Sequence, residues 1–349
     1  MIRLGIVGCN FGRSVHLPAF RSDGRCKVVG LAGTDKARVE SLAREHDIEI
    51  GFSDWAELVD HKNIDAVTIA TPPALQPLIA LRALAQKKPV FVEKPFASDL
   101  AAAARLVDAA NASGLPTMID FEFPEILAWR RAKALIDDGA VGRLRHVIVS
   151  WNVENAATRL RLKNWKTNKD TGGGVLGNFA CHCLHYVEWF CGPLRALSAR
   201  LFALPGSDSV EESTAAIALE FCSGAAGSLS VSCASYAGSG HRVEFYGEDG
   251  TLTLINEGAD YMRGFRLVHA RRPNGPAEIS VNDPLDVQFD DGRIAPVSRL
   301  AGRFLDAIER STSPRPSFAD GYRVQQLMEA VRRSHDRCSL VDVLAEGMR

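Results

Sequence analysis

Nowhere does this chain run to about 18 consecutive apolar residues, the least a membrane-spanning helix needs, so no segment is expected to cross a bilayer. It also lacks an excess of charge of either sign: 41 Lys and Arg stand against 42 Asp and Glu, a formal net charge of −1. That balance gives no electrostatic footprint for nucleic acid or an anionic membrane surface, and neither partner is expected. None of the 8 cysteines forms a Cys-x-x-Cys pair, which removes the usual dithiol motif and the usual half of a zinc site. There is no internal repeat and no low-complexity tract. The opening MIRLGIVGCNFG has an apolar core too short for a secretory leader and runs straight into glycines, so the expected compartment is the cytoplasm. Cysteines set in apolar runs (Cys26, Cys222, Cys233) are then expected as buried, reduced thiols.

What is present is ordinary globular material, 46% apolar and 24% charged over 349 residues, enough for two domains with separate cores. Up to about residue 120, short apolar runs alternate with helical patterns. RLGIVGC, CKVVGLAGT, DAVTIATPP, PVFVEKP and LPTMIDFEF read as five buried strands, with helices between them at DKARVESLAREH, Leu75–Gln86 and Leu100–Ser113. Continuous apolar strands alternating with helices predict a parallel sheet covered on both faces, an α/β doubly wound (Rossmann) nucleotide-binding layout. Beyond Phe123-Pro124 the order changes. A helix at Ile126–Asp138, a strand at RLRHVIVSWNVE, a polar stretch Ala157–Gly174 and a helix Asn178–Cys191 precede several alternating strands. Helices at Val297–Arg310 and Gly321–Arg333 follow. This predicts an α+β domain with an open, mostly antiparallel sheet, and domains at 1–121 and 122–349.

GIVGCNFGRSVHLPAF follows the first strand and opens a helix, where backbone N–H groups favour a pyrophosphate. Gly8 and Gly12 keep two glycines of the dinucleotide fingerprint; Asn10 replaces the middle one, and asparagine tolerates left-handed backbone better than most residues. After the second strand, Gly33 and Thr34 stand where an acidic residue would bind the ribose hydroxyls of NAD. Nothing there repels a 2′-phosphate, and Thr34, Lys36 or Arg38 could hold one, so NADP is favoured over NAD. Thr34 or Asp35 could equally be helix caps, and Asp35 could also reach the ribose.

VLGNFACHCLHY packs Cys181, His182, Cys183 and His185 into five residues. A metal is not expected, because Cys181 and Cys183 diverge on a helix and His16, His46, His61 and His146 fall in unrelated patterns. A Cys181–Cys183 disulfide would strain the helix. The cysteines are read as packing residues.

Glu93-Lys94-Pro95 at the end of the fourth strand, Ala70-Thr71-Pro72-Pro73 before it, the turn GCNFGRSVHLPAF, the GGG at 172–174, the His182 helix and VEFYGEDGTLTL together resemble the glucose–fructose oxidoreductase/inositol dehydrogenase (Gfo/Idh/MocA) family. The resemblance runs from Ile2 to about Ser334. It implies hydride transfer between a nicotinamide and a secondary hydroxyl or ketone of a sugar, sugar phosphate or sugar nucleotide, and a homodimer or homotetramer formed through the C-terminal sheet. It implies a cofactor held by Gly8, Asn10, Phe11, Gly12, Gly33, Thr34, Asp35 and Arg38 at one end. Thr71, Pro72, Pro73, Gln76, Glu93 and Lys94 would hold the other. It makes Lys94 and His182 the catalytic pair, with a cis bond before Pro95. An ammonium at Lys94 polarises a carbonyl, and an imidazole at His182 takes or returns the alcohol proton.

The family's Asp-x-x-x-His-x-x-Asp reads here Asn178, His182 and His185, whose spacing predicts one helical face. Both acids are replaced, so Asn178 and His185 are read as substrate-placing residues; His185 could instead be a polar core residue. Arg159, Lys163 and Trp165 in the polar stretch suit a sugar or a phosphate, or the stretch is simply a solvated loop. Glu122 meets a substrate hydroxyl or a crossover salt bridge. Two other functions remain open on the same fold: a non-catalytic sensor of nucleotide or sugar, and a reductase of non-sugar substrates resembling dihydrodiol dehydrogenase or biliverdin reductase.

Overall fold

A computed structural model of the chain describes residues 1–168, 171–203 and 212–344. Lys169 of the polar stretch lies outside the described residues. The chain divides into two compact units. The first comprises Met1–Glu122 and, from far along the chain, Arg293–Gln325; the second comprises Phe123–Gly292 and Gln326–Arg349.

The first unit is built on a six-stranded sheet. Its strands are β1 (Ile2–Val7), β2 (Cys26–Ala32), β3 (Ile50–Phe52), β4 (Ala66–Ile69), β5 (Val90–Val92) and β6 (Thr117–Ile119). They lie in the order β3-β2-β1-β4-β5-β6, every pair parallel. This is the doubly wound order whose direction reverses between β1 and β4, the place where such sheets take ligands. Five of these strands are expected from the apolar runs in the sequence. The sixth, β3, is three residues long and too short to carry a period. Helices α1 (Leu17–Arg21), α2 (Lys36–Glu45), α3 (Trp55–Asp60), α4 (Gln76–Ala85) and α5 (Leu100–Ser113) connect the strands. Asp99 caps α5 by accepting from the Ala102 N–H at 2.8 Å, and Gly114 ends it at φ 64°.

Arg293–Gln325 joins this unit because its first helix carries an apolar stripe that needs a core. This helix, Ile294–Arg310, buries Val297, Leu300, Ala301, Phe304 and Leu305, the i, i+3, i+4, i+7 spacing of one face. Phe304 meets Phe20 and Phe91 edge-on, with centroids 6.3 and 5.8 Å away. Burying such a ring is worth about 1.5–3 kcal/mol. Arg25 ties the rim of the same helix through ion pairs to Asp306 (2.5 Å) and Glu309 (3.0 Å).

The second unit holds helix α6 (Leu127–Asp137), strand β7 (Leu144–Asn152), the single turn α7 (Ala156–Arg159) and helix α8 (Cys181–Cys191). Strands β8 (Leu194–Ala203), β9 (Glu212–Phe221), β10 (Ala226–Ser232), β11 (Gly240–Gly247), β12 (Gly250–Asn256), β13 (Arg266–Arg271) and β14 (Ala277–Ile279) follow. With α9 assigned to Ile294–Arg310, helix α10 (Phe318–Arg337) passes from the first unit into the second, and β15 (Val341–Asp342) ends the described chain. The sheet runs β14-β13-β12-β11-β7-β10-β9-β8-β15 and is antiparallel except where β10 meets β7. Alternation is plain in β9, where Ala215, Ile217 and Leu219 are buried while Ala216 and Ala218 are exposed. One sheet face thus forms the core and the other is open.

Cys26 and Cys233 are buried as expected, but Cys222 is exposed. β9 ends one residue earlier, at Phe221, so Cys222 starts the turn, its N–H bonded to Pro193 O at 3.0 Å.

Candidate cofactor and proton-transfer residues

In the first unit the glycine turn leaves β1 under tight steric control. Gly8 has φ 126°, and a Cβ there would lie 2.3 Å from Ala70 O, just past the end of β4 across the switch point. Gly12 has a similar constraint, since its Cβ would sit 2.8 Å from Ile6 Cγ2. Gly12–His16 then forms one π turn before α1. Glycines that let backbone approach backbone this closely, opening a helix at the end of a parallel strand, fit a dinucleotide pyrophosphate. Asn10 is exposed and its Oδ1 accepts from Arg38 Nη2 at 2.8 Å, which fixes the guanidinium beside the turn. Asp35 caps α2, accepting from the Arg38 N–H at 3.0 Å, while Thr34 is exposed. Gly33 has Cys9 Sγ where its Cβ would be, 2.5 Å away.

The loop of Thr71, Pro72 and Pro73 follows β4. Gln76 at the start of α4 donates to Pro95 O at 2.7 Å and so holds the Glu93-Lys94-Pro95 segment, which contains a cis Lys94–Pro95 bond. Phe11 lies edge-on to His16, centroids 5.4 Å apart, and beneath the Arg293 guanidinium at 5.2 Å.

No motif in the sequence singles out His16 or Asp120, yet here they meet Glu93. The His16 Nε2 lies 3.1 Å from Glu93 Oε1 and 3.4 Å from Asp120 Oδ2, and Nδ1 lies 2.5 Å from Thr68 Oγ1. All are buried, and the ligand-type atoms of His16, Glu93 and Asp120 lie within 4.8 Å of one another. Glu93 Oε2 accepts the Lys94 backbone N–H at 3.1 Å. Burial first, then the charges of Glu93 and Glu122, push the Asp120 carboxyl well above the usual range. Glu122 rises to about 7 from burial and then the Glu93 charge. Glu93 goes the other way: burial opposes its ionisation, but the hydrogen bonds to His16 and Asp120 and the Lys94 charge together outweigh it. The available signal was positional: His16, Glu93 and Asp120 follow the C-terminal ends of β1, β5 and β6, where open α/β sheets bind ligands.

In the second unit His182 is 2% exposed, edge-on to Phe123 with centroids 5.0 Å apart and 6.1 Å from Trp151. His185, one turn on in α8, is half-buried. Asn178 falls in a π turn, Leu176–Ala180, that precedes α8, so the regular 3.6-residue spacing applies to His182 and His185 but does not extend to Asn178. The Asn178 side-chain amide donates to Lys166 O and Gly174 O, both at 2.8 Å, and so pins the polar stretch. Gly173 packs there too: its Cβ would lie 2.1 Å from Trp165 O. Trp165 is half-buried, with Lys166 Nζ 5.9 Å from its ring, while Arg159 and Lys163 are exposed. Cys181 and Cys183 are fully buried; Cys181 Sγ donates to Gly177 O at 3.1 Å, and burial pushes the Cys183 thiol up.

Two family models match the chain. One, described as an oxidoreductase family with an NAD-binding Rossmann fold, covers residues 2–121; the other, the GFO/IDH/MocA C-terminal domain, covers residues 129–253. An uncharacterized oxidoreductase of Synechocystis sp. is 30% identical over 96% of this chain and 94% of its own. The levoglucosan dehydrogenase of Pseudarthrobacter phenanthrenivorans is 26% identical, covering 91% of this chain and 89% of its own. The inositol 2-dehydrogenase of Rhizobium meliloti is 24% identical over 95% and 96%. Among solved structures, levoglucosan dehydrogenase in complex with NADH and L-sorbose superposes with a TM-score of 0.89 at 23% identity, covering 98% of both chains.

Proposed function

Because this chain belongs to the Gfo/Idh/MocA family of NAD-binding oxidoreductases, we propose that it is a dehydrogenase or ketoreductase acting on one secondary hydroxyl or ketone of a sugar, sugar phosphate or sugar nucleotide. The observation that carries the reading is the setting of Lys94, which directly follows the end of β5, its backbone fixed by Glu93 and the segment after it by Gln76. A nicotinamide dinucleotide supplies or accepts the hydride. The glycine turn from Gly8 to Gly12 takes its pyrophosphate, and Thr71, Pro72 and Pro73 border the nicotinamide end. Lys94 polarises the substrate oxygen, and His182, held between the rings of Phe123 and Trp151, accepts or returns its proton. Trp165 offers a ring to a sugar face, and Arg159 and Lys163 offer cations to a phosphate. His185 completes the substrate contacts, and Asn178 shapes them through the loop it pins.

The cofactor is NADP rather than NAD in this reading. Support comes from Arg38, which Asn10 holds at the turn, and from the engagement of the Asp35 carboxylate as a helix cap. The chain works in the cytoplasm as a homodimer or homotetramer assembled through the open face of the large sheet.

The test is nicotinamide absorbance across a panel of sugars, sugar phosphates and nucleotide sugars with both cofactors. Turnover with at least one substrate is expected. Lys94→Ala should lower kcat by about 10²–10⁴-fold with cofactor binding retained. Arg38→Ala should cut the kcat/KM ratio of NADP over NAD by about tenfold. Binding of a sugar or nucleotide with no turnover would transfer the reading to a sensor on the same fold.

A further inference from the structure

Three carboxyls end up buried around one lysine in the first unit. Glu93, Asp120 and Glu122 are 6%, 0% and 2% exposed, and the Lys94 ammonium is close enough to favour the ionised form of each. Like charges this close in a dry setting do not all ionise together. The hydrogen bonds decide which one keeps its proton. Glu93 has a partner on each oxygen, His16 Nε2 at 3.1 Å on one and the Lys94 N–H at 3.1 Å on the other, and keeps a lone pair free for a further donor. Neither oxygen of Asp120 receives a well-formed hydrogen bond among the described residues, and His16 Nε2 stands 3.4 Å from one of them. A buried carboxylate without donors is costly, whereas a protonated Asp120 becomes a donor itself, with the Glu93 carboxylate beside it as acceptor.

We propose that Asp120 and Glu93 share one proton, that His16 holds the pair together from the side of the glycine turn, and that this acid–carboxylate pair is a positioning element for Lys94. The assignment of Lys94 to hydride chemistry is the reading given above; the shared proton does not depend on it. Only an O–H bond is involved: the proton rests on Asp120 and is hydrogen-bonded to Glu93, and at alkaline pH it leaves to solvent. The groups around the pair are His16 from the glycine turn, Thr68 from β4, Glu93 and Lys94 after β5, Asp120 and Glu122 after β6, and Arg293 at the start of α9, whose charge acts on Glu122. The pair does two things for Lys94. The clamped Glu93 carboxylate fixes the lysine's backbone N–H, and the retained proton removes one negative charge from around its ammonium. Losing that proton adds a buried charge and loosens the clamp, so the alkaline limit of catalysis is set by the pair.

Difference infrared spectroscopy on the full chain, Asp120→Asn against the unmodified protein, tests the proton without needing turnover. At pH 7 the unmodified protein should show protonated-carboxyl C=O absorption of which Asp120→Asn removes the larger part and Glu122→Gln the smaller part. Titrating the band in the unmodified protein alone reads the same proton should the variant fail to fold. In the rate profile, Asp120→Asn keeps an N–H donor for Glu93, so kcat at pH 7 should stay within about threefold while the alkaline limb moves up by about one pH unit or more. Glu93→Gln should lower kcat by about tenfold or more with KM little changed, and Glu93→Asp should recover part of it. A purely structural role would lower kcat equally at every pH. The proposal is overturned if no band is lost with Asp120, if the limb stays in place, or if the purified protein carries stoichiometric metal that Asp120→Asn removes. Should no polyol or ketone turn over, the dehydrogenase reading fails alone and the infrared result still decides the shared proton.

Discussion

His16 in the first unit and His241 in the second are both sealed from water, at 0% and 1% exposure, yet their surroundings are opposite. His16 has an oxygen on each polar side, Thr68 at Nδ1 and the carboxyls of Glu93 and Asp120 at Nε2. His241 lies flat on the Trp151 indole, centroids 4.4 Å apart and planes 3° from parallel, with Tyr186 Oη 2.9 Å from its Nε2. Phe123, Trp129 and Phe265 close around it. Burial drives its pKa down to about 3, so this imidazole is a neutral aromatic plate at any working pH. Depth therefore does not decide what a histidine is for. What decides it is whether the fold brings carboxyls to the same depth, as the ends of parallel strands do in the first unit. The sheet–helix core of the second unit supplies rings and a phenol instead.

If that contrast is right, damage to the aromatic cluster should be large and indifferent to pH. Trp151→Ala removes the plate under His241 and contacts to Phe123 and Phe179. The expected loss is about 3–5 kcal/mol, read by urea unfolding at pH 5, 6 and 8. A loss that changed by more than about 1 kcal/mol across that range would mean that a charge is hidden in the cluster.

The ionic cluster should show the reverse pattern, a smaller effect that depends on pH. Glu122 titrates at about 7 in the folded chain against 4.5 for its ordinary value. A group with a raised folded pKa contributes stability that is fully present below about pH 4.5 and is lost as pH rises through about 7. Asp120, also raised, acts in the same direction, while the depressed Glu93 contributes stability above its ordinary value that is lost as pH falls. Between pH 5 and 7 Glu122 contributes a loss on the order of 3 kcal/mol, and Asp120 adds to the same slope. Glu122→Gln should make that slope shallower between pH 5 and 7, leaving the part that Asp120 carries; an unchanged slope would show that Glu122 reaches water.

Much of this was legible in the sequence, for identifiable reasons. The apolar strands and the glycine turn carry their period and their punctuation locally, and the Glu93-Lys94-Pro95 triplet is contiguous. What failed to show is non-local or compositionally silent. His16 and Asp120 stand far apart in the chain and meet only because β1, β5 and β6 end at the same edge of one sheet. The return of Arg293–Gln325 to the first unit has no marker in its residues, since an amphipathic helix reads alike whichever core it covers. The π turn at Leu176–Ala180 alters the phase between Asn178 and His182 without any telltale residue. Cys222 looked buried because an apolar run does not announce where its strand stops.

The finest test of the contrast is Tyr186→Phe, which keeps the ring and deletes one oxygen. That hydroxyl lies 2.9 Å from His241 Nε2 and 3.1 Å from Cys183 Sγ. Its loss should cost about 1 kcal/mol, the net worth of a buried hydrogen bond. His241 should stay neutral all the same, because burial rather than the phenol depresses its pKa. Histidine NMR titration of the variant checks this: His241 should show no transition above pH 5. A transition near 6.5, the ordinary histidine value, would mean that one hydrogen bond, not the packed rings, keeps this imidazole uncharged. The difference between the two buried histidines would then reduce to a single oxygen.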